Sequence, residues 1–150
     1  PEVGSAVEPV TASTSPVAPT SSPTSRVDLA LAAARARYRR VTAAETLEEV
    51  AAGALLVDTR PENQRREFGV IPGATPVERN VLEWRLDPTS TDRLPGATSE
   101  HRRIILYCQE GYASSLAVAS LLDLGLSEVT DLAGGIKAWL EAGLPVQPTD

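Results

Sequence analysis

Apolar residues come along this chain in short bursts set between longer stretches of helical pattern. Residues 54–58 (Ala-Leu-Leu-Val-Asp), 104–107 (Ile-Ile-Leu-Tyr) and 129–132 (Val-Thr-Asp-Leu) are the bursts. A brief, mostly apolar run without alternation suits a strand covered on both faces, as in a parallel sheet. Leu29, Leu31, Ala33, Ala34 and Tyr38, interleaved with arginines, predict an amphipathic helix over 27–40. Thr42 and Glu45 form a capping box; the helix it opens turns Leu47 and Val50 inward and stops at Gly53. Pro61 starts a short charged helix over 61–68. Ile71-Pro72-Gly73-Ala74 is a turn into an extended segment, and 80–87 forms a helix with Val81, Leu82, Trp84 and Leu86 as its apolar members. Residues 88–100, rich in Thr, Ser, Pro and Gly, read as a loop. Helices follow over 114–124, ended by Gly125, and over 135–142, stopped by Gly143. Strands alternating with helices predict an α/β domain: a small, mostly parallel sheet flanked by helices on both faces. In open sheets of that kind, sites lie at the carboxyl ends of strands. Asp58, Cys108 and the residues after Leu132 fall there. No internal repeat is visible.

The first 26 residues break this pattern. They are dominated by Pro, Ser, Thr, Ala and Val, with no aromatic residue and no sustained apolar period. Such a segment cannot bury enough surface to offset its ordering entropy, so 1–26 reads as a disordered tail or linker and 27–150 as the folded domain. About 125 residues suffice for one domain with one core. The net charge of −6 argues against a nucleic-acid partner. Arg35, Arg37, Arg39 and Arg40 cluster, and on a helix they read as a solvated flank. No apolar stretch has membrane-spanning length, and no basic flank with an apolar core marks a signal peptide. One cysteine excludes an intramolecular disulfide and a multi-cysteine zinc site; neither a metal nor a cofactor is expected. A free thiol fits a reducing, cytoplasmic setting.

That cysteine, Cys108, follows directly on the second apolar run, with Gly111 three residues on and a helix directly after. A nucleophile at a strand end, in a tight loop over a helix N-terminus, is placed where a thiolate is favoured and backbone N–H groups converge on an anion. The glycine supplies a backbone geometry other residues avoid. Ser114 stands where its hydroxyl caps the helix or bonds the sulfur. His101 lies at the opposite end of the strand, which argues against a Cys–His dyad. Trp84 and Trp139 read as core or rim packing.

Four motifs in order then resemble one family, the rhodanese-like single-domain sulfurtransferases. They are Val57-Asp58-Thr59-Arg60; Gly69-Val70-Ile71-Pro72-Gly73-Ala74; Cys108-Gln109-Glu110-Gly111-Tyr112-Ala113-Ser114; and Leu132-Ala133-Gly134-Gly135-Ile136-Lys137-Ala138-Trp139, followed by Ala142-Gly143-Leu144-Pro145-Val146. Together they cover roughly residues 41–147, and their order is far more specific than any one of them. Val70 replaces the histidine usual in the turn, the cysteine loop carries Glu110 and no Arg or Lys, and the family's Glu partner for the arginine is Glu62 or Glu67.

The resemblance implies that Cys108 takes a sulfane sulfur from a small donor such as thiosulfate, becomes a persulfide, and passes the sulfur to a thiol or cyanide acceptor, or to a protein persulfide partner. Gln109, Glu110, Gly111, Tyr112, Ala113 and Ser114 would form the anion cradle. Arg60 would border the substrate, and Asp58 would support it through an ion pair. Glu110 opposes an anionic donor unless it faces solvent, or unless Arg60, Arg79 or Arg85 approaches the pocket. Phosphatases and arsenate reductases use a related cysteine loop, but Ser114 stands where a Cys-x5-Arg loop has its arginine. The alternative outside catalysis is a regulatory or sulfur-carrier module of the same fold.

Overall fold

The structure, a computed structural model, describes residues 25–149. The proposed tail over 1–26 therefore lies outside the described residues except for its last two. Those two are ordered: Ser25 caps helix α1 (Arg26–Arg35), its Oγ accepting the Asp28 N–H at 3.0 Å. The helix is shorter than the 27–40 pattern predicts. Only Leu31 and Ala34 are buried on it, and Leu29 stays exposed. Arg39 and Arg40 fall in an irregular linker.

Helix α2 (Ala43–Ala51) opens with the expected capping box: Thr42 Oγ1 accepts the Glu45 N–H at 3.1 Å, and Glu45 accepts the Thr42 N–H at 2.9 Å. Val50 packs on the core, whereas Leu47 is exposed, contrary to the inward position its spacing predicts. Strand β1 (Leu55–Asp58), helix α3 (Glu62–Phe68), strand β2 (Thr75–Pro76), a 3-10 turn over Arg79–Val81 and helix α4 (Leu82–Leu86) follow. In the last of these, Leu82 and Leu86 are buried, but Val81 and Trp84 face outward, because the 3-10 start shifts the apolar period. Strand β3 (Ile104–Tyr107), helix α5 (Ala113–Asp123), strand β4 (Val129–Asp131) and helix α6 (Gly135–Glu141) complete the order.

The sheet runs β2-β1-β3-β4, and every strand pair is parallel. Val41 adds a parallel bridge to Leu132 beyond β4. Strand β3 is buried on both faces: Ile104 and Leu106 join Leu82, Leu86, Val118 and Leu121 on one side, and Ile105 and Tyr107 join Val41, Ile136 and Trp139 on the other. Two-sided burial is why these strands read as continuous apolar runs. Their carboxyl ends lie along one edge of the sheet, with Asp58 paired to Tyr107 and Asp131 to Leu106. No helix among the described residues is long and apolar enough to cross a membrane.

Thr42→Ala removes one half of the capping box and is expected to lower stability by about 1 kcal/mol, read as an earlier urea midpoint with an unchanged slope.

Candidate active site

Between β3 and α5 the chain turns through residues 108–112. Cys108 is 7% exposed and sits on the floor of this turn. Its Sγ accepts the N–H groups of Gly111 at 3.2 Å and Ser114 at 3.4 Å. The turn is possible because Gly111 has φ +86°, in the region that favours glycine, and because a Cβ there would lie 2.7 Å from the Gly134 nitrogen. Gly135 is locked against the same loop: a Cβ on it would overlap the Cys108 carbonyl oxygen. The Gly134-Gly135 corner and the cysteine loop thus pack backbone to backbone.

Donors outside the loop hold its carbonyls. Ile136 N–H donates to the Cys108 oxygen at 3.0 Å and Lys137 N–H to the Gln109 oxygen at 3.2 Å, so the first turn of α6 grips the loop entrance. Arg35 Nη2 and Arg40 Nη2 both donate to the Gly111 oxygen, at 2.7 and 2.8 Å. Among the described residues, the N–H groups of Glu110, Tyr112 and Ala113 have no acceptor within the chain. These residues line an open pocket of about 550 Å³ together with Thr59, Arg60, Gln64, Arg79, Cys108 and Gln109. A smaller hollow of about 290 Å³ beside Asp58, Glu62, Arg65 and Gln147 lacks the thiol. Of these two, the 550 Å³ pocket is the one that holds the thiol.

The family model for the rhodanese-like domain matches residues 42–142. The chain belongs to the rhodanese-like domain family. Among curated relatives, a protein named sulfurtransferase from Allochromatium vinosum is 33% identical over 92 residues, covering 61% of this chain and 77% of that one. The rhodanese-like domain-containing protein 15, chloroplastic, of Arabidopsis thaliana is 44% identical over 48 residues, covering 32% of this chain but only 26% of that longer protein. Among solved structures, a protein of unknown function from Rhodopseudomonas palustris, described as a possible tyrosine phosphatase, superposes with a TM-score of 0.74. It is 28% identical, and the superposition covers 87% of this chain and all of that one. The sulfurtransferase name of the Allochromatium vinosum relative supports a transferase family.

In this rhodanese-like domain, Asp58 and Arg60 form a buried ion pair. Arg60 Nε and Nη2 reach the two Asp58 oxygens at 3.0 and 2.7 Å. Arg60 also donates to the Gly69 carbonyl at 2.7 Å and to Gln109 Oε1 at 3.2 Å. Arg60 borders the pocket, but its side chain is fully buried, and Nε, Nη1 and Nη2 each donate within the chain. It reaches the cysteine loop through Gln109 and lines the pocket from the end of β1. Neither Glu62 nor Glu67 takes the partner's part; Glu62 pairs with Arg66 instead. Burial works against the Arg60 charge, but the hydrogen bonds and attraction of Asp58 outweigh it and hold its pKa above the ordinary arginine value.

Ser114 departs from both expected uses. Its N–H faces Sγ, but its hydroxyl turns away and donates to Asp131 Oδ2 at 2.7 Å. Glu110 is exposed at the pocket mouth. Arg79 shares that pocket and pairs with Glu83 at 3.0 Å, while Arg85 reaches the Asp92 carbonyl instead.

The sequence reading missed Asp131 and the arginines that serve the loop. Asp131 has no exposed surface, yet it accepts from Tyr38 Oη, Arg40 Nε and Nη2, Ser114 Oγ and Ser115 Oγ, at 2.7–3.1 Å. Burial disfavours the Arg40 charge, but Asp131 more than compensates, with smaller help from Tyr38 and Cys108, and the Arg40 pKa is raised. An acid inside a buried strand was the available signal, since such a group needs charged or hydroxyl partners.

Asp58→Ala would leave the Arg60 charge buried without its partner. The expected loss is about 3–5 kcal/mol, measured by guanidinium denaturation.

Proposed function

We propose that this domain is a rhodanese-type sulfurtransferase that carries sulfane sulfur on Cys108. The single observation that carries the reading is a lone thiol on the floor of an open pocket, with two backbone N–H groups directed at its sulfur. In the first half-reaction the Cys108 thiolate attacks the outer sulfur of a donor such as thiosulfate. The Sγ–S bond forms, the donor's S–S bond breaks, and its electron pair leaves with sulfite. In the second, cyanide or a thiol attacks the outer sulfur, the new bond forms, and the Sγ–S electron pair returns to Cys108 as thiolate. The cycle conserves electrons and regenerates the enzyme, so it calls for no redox cofactor.

What the loop contributes is electrostatic. A persulfide places negative charge on the outer sulfur, and N–H groups fixed in advance stabilise that charge without reorganising. The Glu110, Tyr112 and Ala113 N–H groups are unengaged within the chain and belong to pocket-lining residues, which suits that task. Phosphoryl chemistry on a Cys-x5-Arg loop needs a guanidinium at the loop's end. Here that position is Ser114, with its side chain turned to Asp131. A small donor fits the pocket, and its openness also admits the persulfide of a partner protein.

Cys108→Ser is expected to abolish sulfur uptake, read by intact mass after incubation with thiosulfate, while the circular dichroism spectrum stays that of the wild type. A wild-type protein that gains no sulfur from any sulfane donor would instead identify a non-catalytic module. Glu110→Gln removes a carboxylate from the path of a dianion. Because Glu110 is exposed, the expected gain in thiosulfate loading is small, about two- to fivefold. Unchanged or slower loading would mean that the carboxylate is remote from the donor or helps it.

A further inference from the structure

Two guanidinium groups meet on one neutral oxygen behind the cysteine loop. Arg35 comes from the last turn of α1, and Arg40 from the linker that follows it. Both precede residue 42, where the family match begins. Arg35 Nη2 and Arg40 Nη2 donate to the Gly111 carbonyl, and Arg35 Nε also holds Ser115 Oγ at 2.9 Å. Like charges side by side repel, and of the two only Arg40 has a carboxylate partner among the described residues. An arrangement of that kind is favourable where negative charge develops close by.

The geometry of a peptide unit says where. The described residues contain no cis peptide, so the Tyr112 N–H points opposite to the Gly111 C=O. With that carbonyl held from the α1 side, the N–H is turned to the face of the loop that lines the pocket. Donation of two cationic N–H groups to the oxygen also polarises the same amide and makes its N–H a stronger donor. The Arg35 guanidinium also lies 5.7 Å from the centroid of the Tyr112 ring, within cation–π reach.

We propose that Arg35 and Arg40 are positioning residues for sulfur transfer: they fix and polarise the Gly111–Tyr112 peptide so that the Tyr112 N–H receives the outer, anionic sulfur of a Cys108 persulfide. This rests on the sulfurtransferase reading and deepens it. The prediction separates the outer sulfur from Sγ. Sγ itself is served by Gly111 and Ser114, so losing an arginine harms the persulfide step more than the reactivity of the free thiolate.

Arg40 is tied to the buried Asp131, so Arg35 is the better probe. The test compares full-length wild type, Arg35→Met, Arg35→Lys and Arg37→Met. Arg37 is nearby but pairs with Asp123 on the surface, at 2.8 Å, and controls for loss of one positive charge. Three quantities are read: the rate of sulfur loading from thiosulfate, the rate of Cys108 alkylation by iodoacetamide, and the melting temperature. Arg35→Met is expected to load about tenfold more slowly, with alkylation changed less than about twofold and the melting temperature retained; Arg35→Lys should fall between it and the wild type, and Arg37→Met should match the wild type. Wild-type loading in Arg35→Met, a parallel fall in alkylation, or an equal loss in Arg37→Met overturns the proposal. If Arg35→Met does not fold, Arg35→Lys decides: slowed loading with normal alkylation supports the role, and wild-type loading overturns it. A wild type that never takes up sulfur overturns the functional reading and this proposal together, whereas normal uptake by wild type and variant alike overturns this proposal alone.

Discussion

A trans peptide carries its C=O and N–H on opposite edges, so a loop whose carbonyls are held from outside must present its amides inward. That constraint organises the carboxyl end of this sheet. The Cys108 and Gln109 oxygens are held by the first turn of α6, and the Gly111 oxygen by two arginines. The N–H groups that share those peptide units, of Gln109, Glu110 and Tyr112, are turned the opposite way, and the Gly111 and Ser114 amides of neighbouring units face the sulfur. The glycines follow from the same requirement: Gly111 and Gly135 are the points where backbone approaches backbone too closely for a Cβ. An anion cradle of this kind owes its strength to having its dipoles aimed before the charge arrives.

The grip comes from buried charge on both flanks of the loop. On one side Asp58 and Arg60 pair at the end of β1 and reach Gln109; on the other Asp131 at the end of β4 gathers Tyr38, Arg40, Ser114 and Ser115. Buried pairs contribute little to stability compared with apolar packing of the same volume, because desolvation offsets most of their attraction. Their value here is directional. A carboxylate with five donors has one geometry, and it transmits that geometry to the two serines at the start of α5, hence to the amides that face the thiol. The apolar layers on either side of β3 supply the stability that such polar cores do not.

The strands were legible in the sequence because burial on both faces leaves continuous apolar runs at 55–58 and 104–107, and the start of α2 because Thr42 and Glu45 must lie three apart to cap each other. The thiol loop was legible for a similar reason: a strand end, a glycine and a helix start are all local. Side-chain direction was less so. Leu47, Val81 and Trp84 look like core residues by spacing but face outward, since a 3-10 turn or a partly covered helix shifts the buried stripe. The arginines escaped notice for a different reason. Arg35 and Arg40 lie far along the chain from Gly111, and as members of one long helix they would form a solvated flank. The early end of α1 and the bridge from Val41 to Leu132 break that helix and swing Arg40 under the strand ends. No local pattern encodes such a turn.

The family-matched segment, 42–142, contains Gly111, Ser114, Ser115 and Asp131, but not Tyr38, Arg35 or Arg40. Cut at residue 42, the Asp131 carboxylate would keep two hydroxyl donors and lose its cation, and the Gly111 carbonyl would lose both charged donors. A carboxylate without a counter-charge in a buried strand is costly and draws in water. That change loosens the start of α5, whose Ser114 amide faces the sulfur. Helix α1 also rests on α5 directly, through Leu31 and Ala34. Helix α1 with its linker is therefore part of the scaffold of the site rather than an appendage to it.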